Sequence, residues 1–161
     1  MSDSHTLSHL DAAGRPIMVD VAGKTPGRRS ATAEAGVELG PEIAALLRET
    51  GGVAKGNVID TARIAGIMAA KRTAELIPMC HPLALDVVRI DARLDDTRLT
   101  LTATAACTAA TGVEMEAMTA ASVAALTVYD MCKAAGKGIV IRSVRLLEKT
   151  GGKSGTWRAE D

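Results

Sequence analysis

Apolar positions along the chain follow two periods. Val88, Ile90, Ala92 and Leu94 alternate with Arg89, Asp91 and Arg93, and Leu99, Leu101, Ala103 and Ala105 alternate with Thr100, Thr102 and Thr104. A period of two turns one side of a segment toward a core, so this stretch predicts two half-buried strands joined as a hairpin through Asp95-Asp96-Thr97. Weaker strand signals lie in IMVDV from Ile17, SATAEAGVEL from Ser30 and GIVIRSVRLLEK from Gly138. The other period is helical. Gly40 and Pro41 supply N-cap and first position of a helix through Arg48 that Gly51-Gly52 stops. Asn57 can cap a second, Val58 to Arg72, with Ile64, Ile67 and Met68 on one side. Thr111-Gly112-Val113-Glu114 has the spacing of a capping box and opens a long helix ending near Gly136.

The order strand, strand, helix, helix, hairpin, long helix, strand indicates an α+β fold with helices on one face of a mainly antiparallel sheet, a ferredoxin-like sandwich. At 161 residues the chain holds one ordinary domain. The expected division is a polar, mobile leader over 1–16, one catalytic domain over 17–155 and a tail over 156–161.

Composition narrows the function. Nineteen basic residues balance nineteen acidic ones, so no net field draws the chain to nucleic acid or an anionic membrane. With one Trp, one Tyr and no Phe there is almost no platform for stacking bases, which favours a small-molecule ligand. Cys80, Cys107 and Cys132 share no disulfide-framework or metal-type spacing and read as reduced thiols of a cytoplasmic protein. The N-terminus lacks the apolar region of an export signal, and no run is long enough to span a membrane. A core of Ala, Val, Leu and Ile buries little area per residue, which favours oligomerisation.

Several segments could carry chemistry. KTGGKSG, from Lys149, matches the second half of a P-loop, but the first glycine would fall at Leu147 and too little chain follows to build the helix such a loop needs. In the long helix, Asp130 and Lys133 continue the stripe of Val123 and Leu126, which makes them either a surface ion pair or an acid/base pair in a half-buried cleft. In such a cleft the lysine would lose proton affinity. Glu114 and Glu116 sit where the helix dipole favours acids. IPMCHP presents Met79, Cys80 and His81 between two prolines, on a stiff loop. Lys24, Arg28, Arg29, Lys55, Lys71, Arg72, Lys149 and Lys153 are ordinary solvated cations unless several converge, in which case they would neutralise a polyphosphate.

Together, KGNVIDTARIAGIMAAKR, LIPMCHPL, TGVEMEAMTAASVAALTVYDMCKA and EKTGGKSG closely resemble the cyclic pyranopterin monophosphate synthase family of molybdenum cofactor biosynthesis, MoaC. The resemblance runs in order from about Met18 to Gly155. It implies a ferredoxin-like fold and a homohexamer, a trimer of dimers with active sites at subunit interfaces. It implies a lyase that converts (8S)-3',8-cyclo-7,8-dihydroguanosine 5'-triphosphate to cyclic pyranopterin monophosphate and pyrophosphate, with no cofactor and no metal.

Carried over position by position, the resemblance makes Asp130, Lys133 and Lys55 the catalytic set. Met79, Cys80 and His81 match one substrate-binding segment, and Met115 and Glu116 match another with Glu114 nearby. Lys149 matches a substrate-binding lysine, and Asp20, Lys24, Arg29, Lys71 and Arg72 are further candidates. The chain departs from the family pattern at Ala109-Ala110, where a glycine and a basic residue are usual, and in the loop GKTPGRRS. The first departure removes a cationic contact, with weaker phosphate binding as its expected effect. The competing readings are a non-catalytic ferredoxin-like module binding an anionic nucleotide or pterin metabolite, and a metal-dependent hydrolase using His81 and cysteines. The module has no use for Asp130 beside Lys133. The hydrolase lacks a second ligand at metal spacing, since His5 and His9 lie in the leader.

Overall fold

A computed structural model of the chain describes residues 10, 11, 13–152 and 155–160. His5, His9 and Lys153 lie outside these. The alternating hairpin forms as the pattern predicts, with β4 (Val87–Asp95) and β5 (Arg98–Ala109) paired antiparallel around a two-residue turn in which Asp96 takes φ 46°. Asp tolerates that left-handed conformation better than most side chains. Ahead of the hairpin come β1 (Gly27–Glu38), α1 (Pro41–Thr50), a miniature hairpin of β2 (Gly52–Val53) and β3 (Gly56–Asn57), α2 (Val58–Ala70) and α3 (Thr73–Leu76). Behind it come α4 (Glu114–Cys132), β6 (Val140–Thr150) and β7 (Trp157–Arg158).

The main sheet has the order β4-β5-β1-β6-β7 with every pair antiparallel. Without β7 this is the βαββαβ arrangement of a ferredoxin-like α+β fold, with α4 laid across β1, β5 and β6 and α2 packed on α4 and β4. The core between the layers is built from small residues. Ala31, Ala33, Ala35, Ala103 and Ala105 of the sheet meet Ala117, Ala120, Ala121, Ala124 and Ala125 of α4, all buried. Small side chains let the layers approach closely. At Gly66 a Cβ would come within 2.8 Å of the Ala120 carbonyl oxygen and 3.3 Å of the Ala124 methyl, so α2 and α4 touch almost backbone to backbone there.

Five expectations from the pattern are corrected. IMVDV is not a strand: residues 17–20 pair with no strand among the described residues, and Ile17 and Met18 are exposed, so the apolar pattern there meets no core. The strand expected from Ser30 starts three residues earlier, so Arg28 and Arg29 belong to β1 and not to a loop. Helix α2 buries Val58, Ala62, Gly66, Ala69 and Ala70, while Ile64 and Met68 face outward, since only the small-residue side fits against α4. It ends at Ala70, two residues short of Arg72, with the Asn57 side chain accepting from the Asp60 N–H at 2.9 Å as a cap. The capping box at Thr111 does not form. Val113 is the N-cap, no side chain caps α4, and the Glu114 carboxylate is turned elsewhere.

Candidate functional site

Helix α4 points its uncapped N-terminus into a cavity of about 800 Å³ whose lining includes Lys24, Arg29, Glu114 and Lys149. Each side chain arrives by a local device. On β1 Arg29 shares the inward side of Ala31 and Ala33, which selects it over Arg28; its Nε donates to the Ala109 carbonyl at 3.2 Å. Lys24 follows a turn shaped by Asp20, whose carboxylate accepts from the Ala22 N–H at 2.8 Å. Lys149 owes its direction to a bulge in β6. Ile141, Val144 and Leu146 face the core opposite Val37, Ala35 and Ala33, so unbroken alternation would send Glu148 inward. The extra residue Leu147 shifts the phase, and Lys149 instead lies opposite Ala31 on the helix-covered side.

Lys149 Nζ meets Glu114 Oε1 at 2.9 Å, with both side chains partly buried. Gly112 makes that possible, because a Cβ there would overlap the Glu114 carboxylate. Gly152, at φ 77°, likewise leaves room for the Arg29 guanidinium. A second cavity, of about 380 Å³, shares Lys24, Thr111, Gly112 and Glu114 with the first and adds Met79, Cys80, His81, Met115 and Glu116. The two form one continuous cleft. Glu116 is 3% exposed, and burial pushes its carboxyl above the usual range, with its own backbone N–H pulling back and Glu114 adding to the rise. Burial, reinforced by Glu116 and Glu114, also raises the Cys80 thiol and keeps it out of the reactive thiolate form.

The other end of α4 carries a separate cluster. The miniature hairpin β2–β3 presents Lys55 at its turn, and Lys55 Nζ donates to the Asp130 carbonyl at 2.9 Å and to Asp130 Oδ2 at 3.2 Å. Lys133 Nζ meets Asp130 Oδ1 at 2.6 Å. The hydrogen bond from Lys133, then that from Lys55, holds the Asp130 carboxyl below its usual range, and the bond to Asp130 raises Lys133. This corrects two expectations. Val123 and Leu126 do not continue a core stripe, since Leu126 is 58% exposed, and Lys133 gains proton affinity where a half-buried cleft would have cost it some. The chain alone leaves both side chains more than half exposed, so there is little desolvation to oppose the ion pair.

Residues 18–152 match the MoaC family along most of the chain. The chain belongs to the MoaC family. It is 57% identical to a protein of Bordetella avium (strain 197N) named cyclic pyranopterin monophosphate synthase, over 98% of this chain and 99% of that one. It is 56% identical to the protein of that name from Thermomicrobium roseum (strain ATCC 27502 / DSM 5159 / P-2), over 96% and 94%. A third, from Streptomyces coelicolor (strain ATCC BAA-471 / A3(2) / M145), is 55% identical over 94% and 88%.

The positions that the MoaC resemblance nominates thus fall into four places. Lys24, Arg29, Met79, Cys80, His81, Glu114, Met115, Glu116 and Lys149 share the cleft at the start of α4. Lys55, Asp130 and Lys133 gather at its end. Lys71 and Arg72 line a recess of about 110 Å³ that meets the cleft only through Leu83 and Glu116, and Asp20 shapes a turn without lining either cavity. Ala110 lines the larger cavity as a small wall residue. Thr111, Gly112 and Gly151 also line it and escape the sequence reading; the glycines flanking EMEA and EKT are the signal that points to them. No helix among the described residues is long and apolar enough to cross a membrane.

Proposed function

We propose that this MoaC-family chain is a cyclic pyranopterin monophosphate synthase. It takes the cyclised triphosphate (8S)-3',8-cyclo-7,8-dihydroguanosine 5'-triphosphate to cyclic pyranopterin monophosphate and pyrophosphate, in the cytoplasm. The match to proteins of that name over nearly the whole chain supports the reaction. The convergence of three cations on an uncapped helix N-terminus supports the cleft as the polyphosphate site. Backbone N–H groups at such a terminus and the helix dipole both favour anions. Lys24, Arg29 and Lys149 neutralise the leaving pyrophosphate. Binding exchanges Glu114 for phosphate oxygens on Lys149.

Opening the purine's five-membered ring and closing a cyclic phosphate both require proton transfers. Lys133, held as an ammonium, donates protons, and Asp130, held as a carboxylate between two lysines, accepts them or orients the donors. Glu116, whose carboxyl burial pushes upward, lines the cleft wall where it can hydrogen-bond the base.

The observation that carries the assembly is the length of α4. Glu114 opens the helix and Asp130 lies close to its end, so they stand about 24 Å apart along the axis at the rise of an α-helix. One reacting centre cannot touch both ends of one chain's α4. This separation supports a site completed by a second subunit, its cleft facing the Lys55–Asp130–Lys133 cluster of the first, within the homohexamer, a trimer of dimers, that the MoaC resemblance implies. Exposed Leu126 and Tyr129, beside that cluster, give the second subunit an apolar surface to cover.

Pyrophosphate release from the cyclised triphosphate, measured with and without a chelator, tests the reaction. Binding without turnover would leave a ligand-binding module, and chelator-sensitive turnover would restore a metal to the mechanism. Mixing inactive Asp130→Asn with inactive Lys149→Ala tests the shared site. In randomly mixed dimers about a quarter of the sites regain both wild-type halves, so activity returns; a mixture as inactive as its parts would show that each site lies within one chain.

A further inference from the structure

The match to the family ends at residue 152, yet the chain goes on to form β7, which pairs with β6 where Lys149 sits. The register places Trp157 directly opposite Lys149 and Arg158 opposite Glu148. Directly opposed residues of an antiparallel pair share a face, so Trp157 stands beside Lys149 on the side that meets Glu114 and the cleft. The other pair confirms the phase on the reverse side, where Arg158 Nε meets Glu148 Oε2 at 3.0 Å. The ladder continues one step further, the Ala159 N–H donating to the Leu147 carbonyl at 2.8 Å, which pins the bulge that aims Lys149. Lys149 is thereby held between Ala31 of β1 and Trp157 of β7, and without β7 it would sit on a free edge beside an irregular turn.

From this we infer that β7 positions Lys149 and that Trp157 is its positioning residue, setting affinity for the polyphosphate without touching the reacting atoms. The inference rests on the reading of Lys149 as a substrate-binding cation. Trp157 is 45% exposed and lines neither cavity, but the register sets its stiff ring beside the flexible four-carbon stem of Lys149. It restricts where the ammonium can go once Glu114 gives way to phosphate, so the bound state forms with less ordering still to be done.

Trp157 is the chain's one tryptophan, so its emission reports on this place alone. Titrating the wild-type protein with inorganic pyrophosphate is expected to change that emission, and Lys149→Ala to abolish the change. In turnover, Trp157→Ala is expected to raise KM for the cyclised triphosphate about two- to fivefold, the size of one lost cross-strand pair, with kcat unchanged. Trp157→Phe should restore KM, because a second flat ring supplies the same wall. If Trp157→Ala does not fold, Trp157→Leu, which keeps an apolar side chain but removes the flat ring, should raise KM in the same way. The inference is overturned if KM stays at the wild-type value in the folded variant, if kcat falls while KM does not change, or if pyrophosphate leaves the emission unaltered. A wild-type protein without turnover whose emission still answers to pyrophosphate through Lys149 would remove the synthase reading and leave the positioning role standing.

Discussion

Replacing Glu116 with glutamine should make the protein more stable and less active, and the stability gain should depend on pH. The side chain is 3% exposed in the middle of the cleft wall, and burial raises its carboxyl while Glu114 adds to the rise. A carboxyl whose folded pKa lies above its unfolded one holds its proton longer in the folded state. Between the two values the folded chain binds more protons than the unfolded chain, so stability falls as pH rises through that window and stays low above it. A glutamine amide has nothing to ionise and escapes the loss. Every buried side-chain polar atom among the described residues has a hydrogen-bond partner, so ionised Glu116 suffers desolvation that its own backbone N–H partly offsets, about 1–2 kcal/mol, the lower half of the range for buried polar groups. At about 2–4 °C per kcal/mol for a chain of this size, Glu116→Gln should raise Tm by about 2–8 °C at pH near 8 and by about nothing at pH near 4. Scanning calorimetry of both proteins at one fixed concentration measures this, and kcat/KM should fall in the same variant. An equal Tm difference at both pH values, or a variant less stable at the higher one, would refute the argument from burial.

Asp130→Asn should lower kcat by about 10²–10⁴ with Tm nearly unchanged, since general acid–base groups are worth that much and exposed ion pairs contribute little stability; a large Tm loss in thermal scans would reassign the cluster to structure. Gly112→Ala should lower the Kd for pyrophosphate by up to about tenfold in titration calorimetry, because its methyl displaces the Glu114 carboxylate that pyrophosphate must otherwise displace from Lys149; an unchanged Kd would mean that the pair does not set the site. Gly66→Ala should cost about 1–3 kcal/mol by forcing α2 from the Ala120 carbonyl, less about 1 kcal/mol gained in helix propensity. Chemical unfolding that found it clearly stabilised would contradict the close packing.

Much of the fold is legible because local rules and tertiary packing agree. The β4–β5 alternation survives intact, and so do the Gly40-Pro41 start of α1 and the Asn57 cap of α2. The failures share a cause. Ile64, Met68 and Leu126 are large and apolar, and a pattern reader sends such residues inward; here the contact of α2 with α4 and much of that of α4 with the sheet is made by alanine and glycine, which leaves these three on the outward sides, while Leu99, Leu101, Val37 and Val128 fill the core elsewhere. The short β7 carries too few residues for any periodicity to be seen.

The cleft shows the same division. Which groups are available is written in the residues: the cations, the two glutamates at the start of α4, the Asp130–Lys133 spacing and the motifs that mark the family. What each can reach follows from folding, since direction and distance are properties of the folded chain. A single extra residue in β6 turned Lys149 toward the helices. An unformed capping box released Glu114 to meet it. The length of one helix separated the Lys55–Asp130–Lys133 cluster from the cleft, a distance that residue spacing alone cannot convey until the intervening segment is known to be helical throughout.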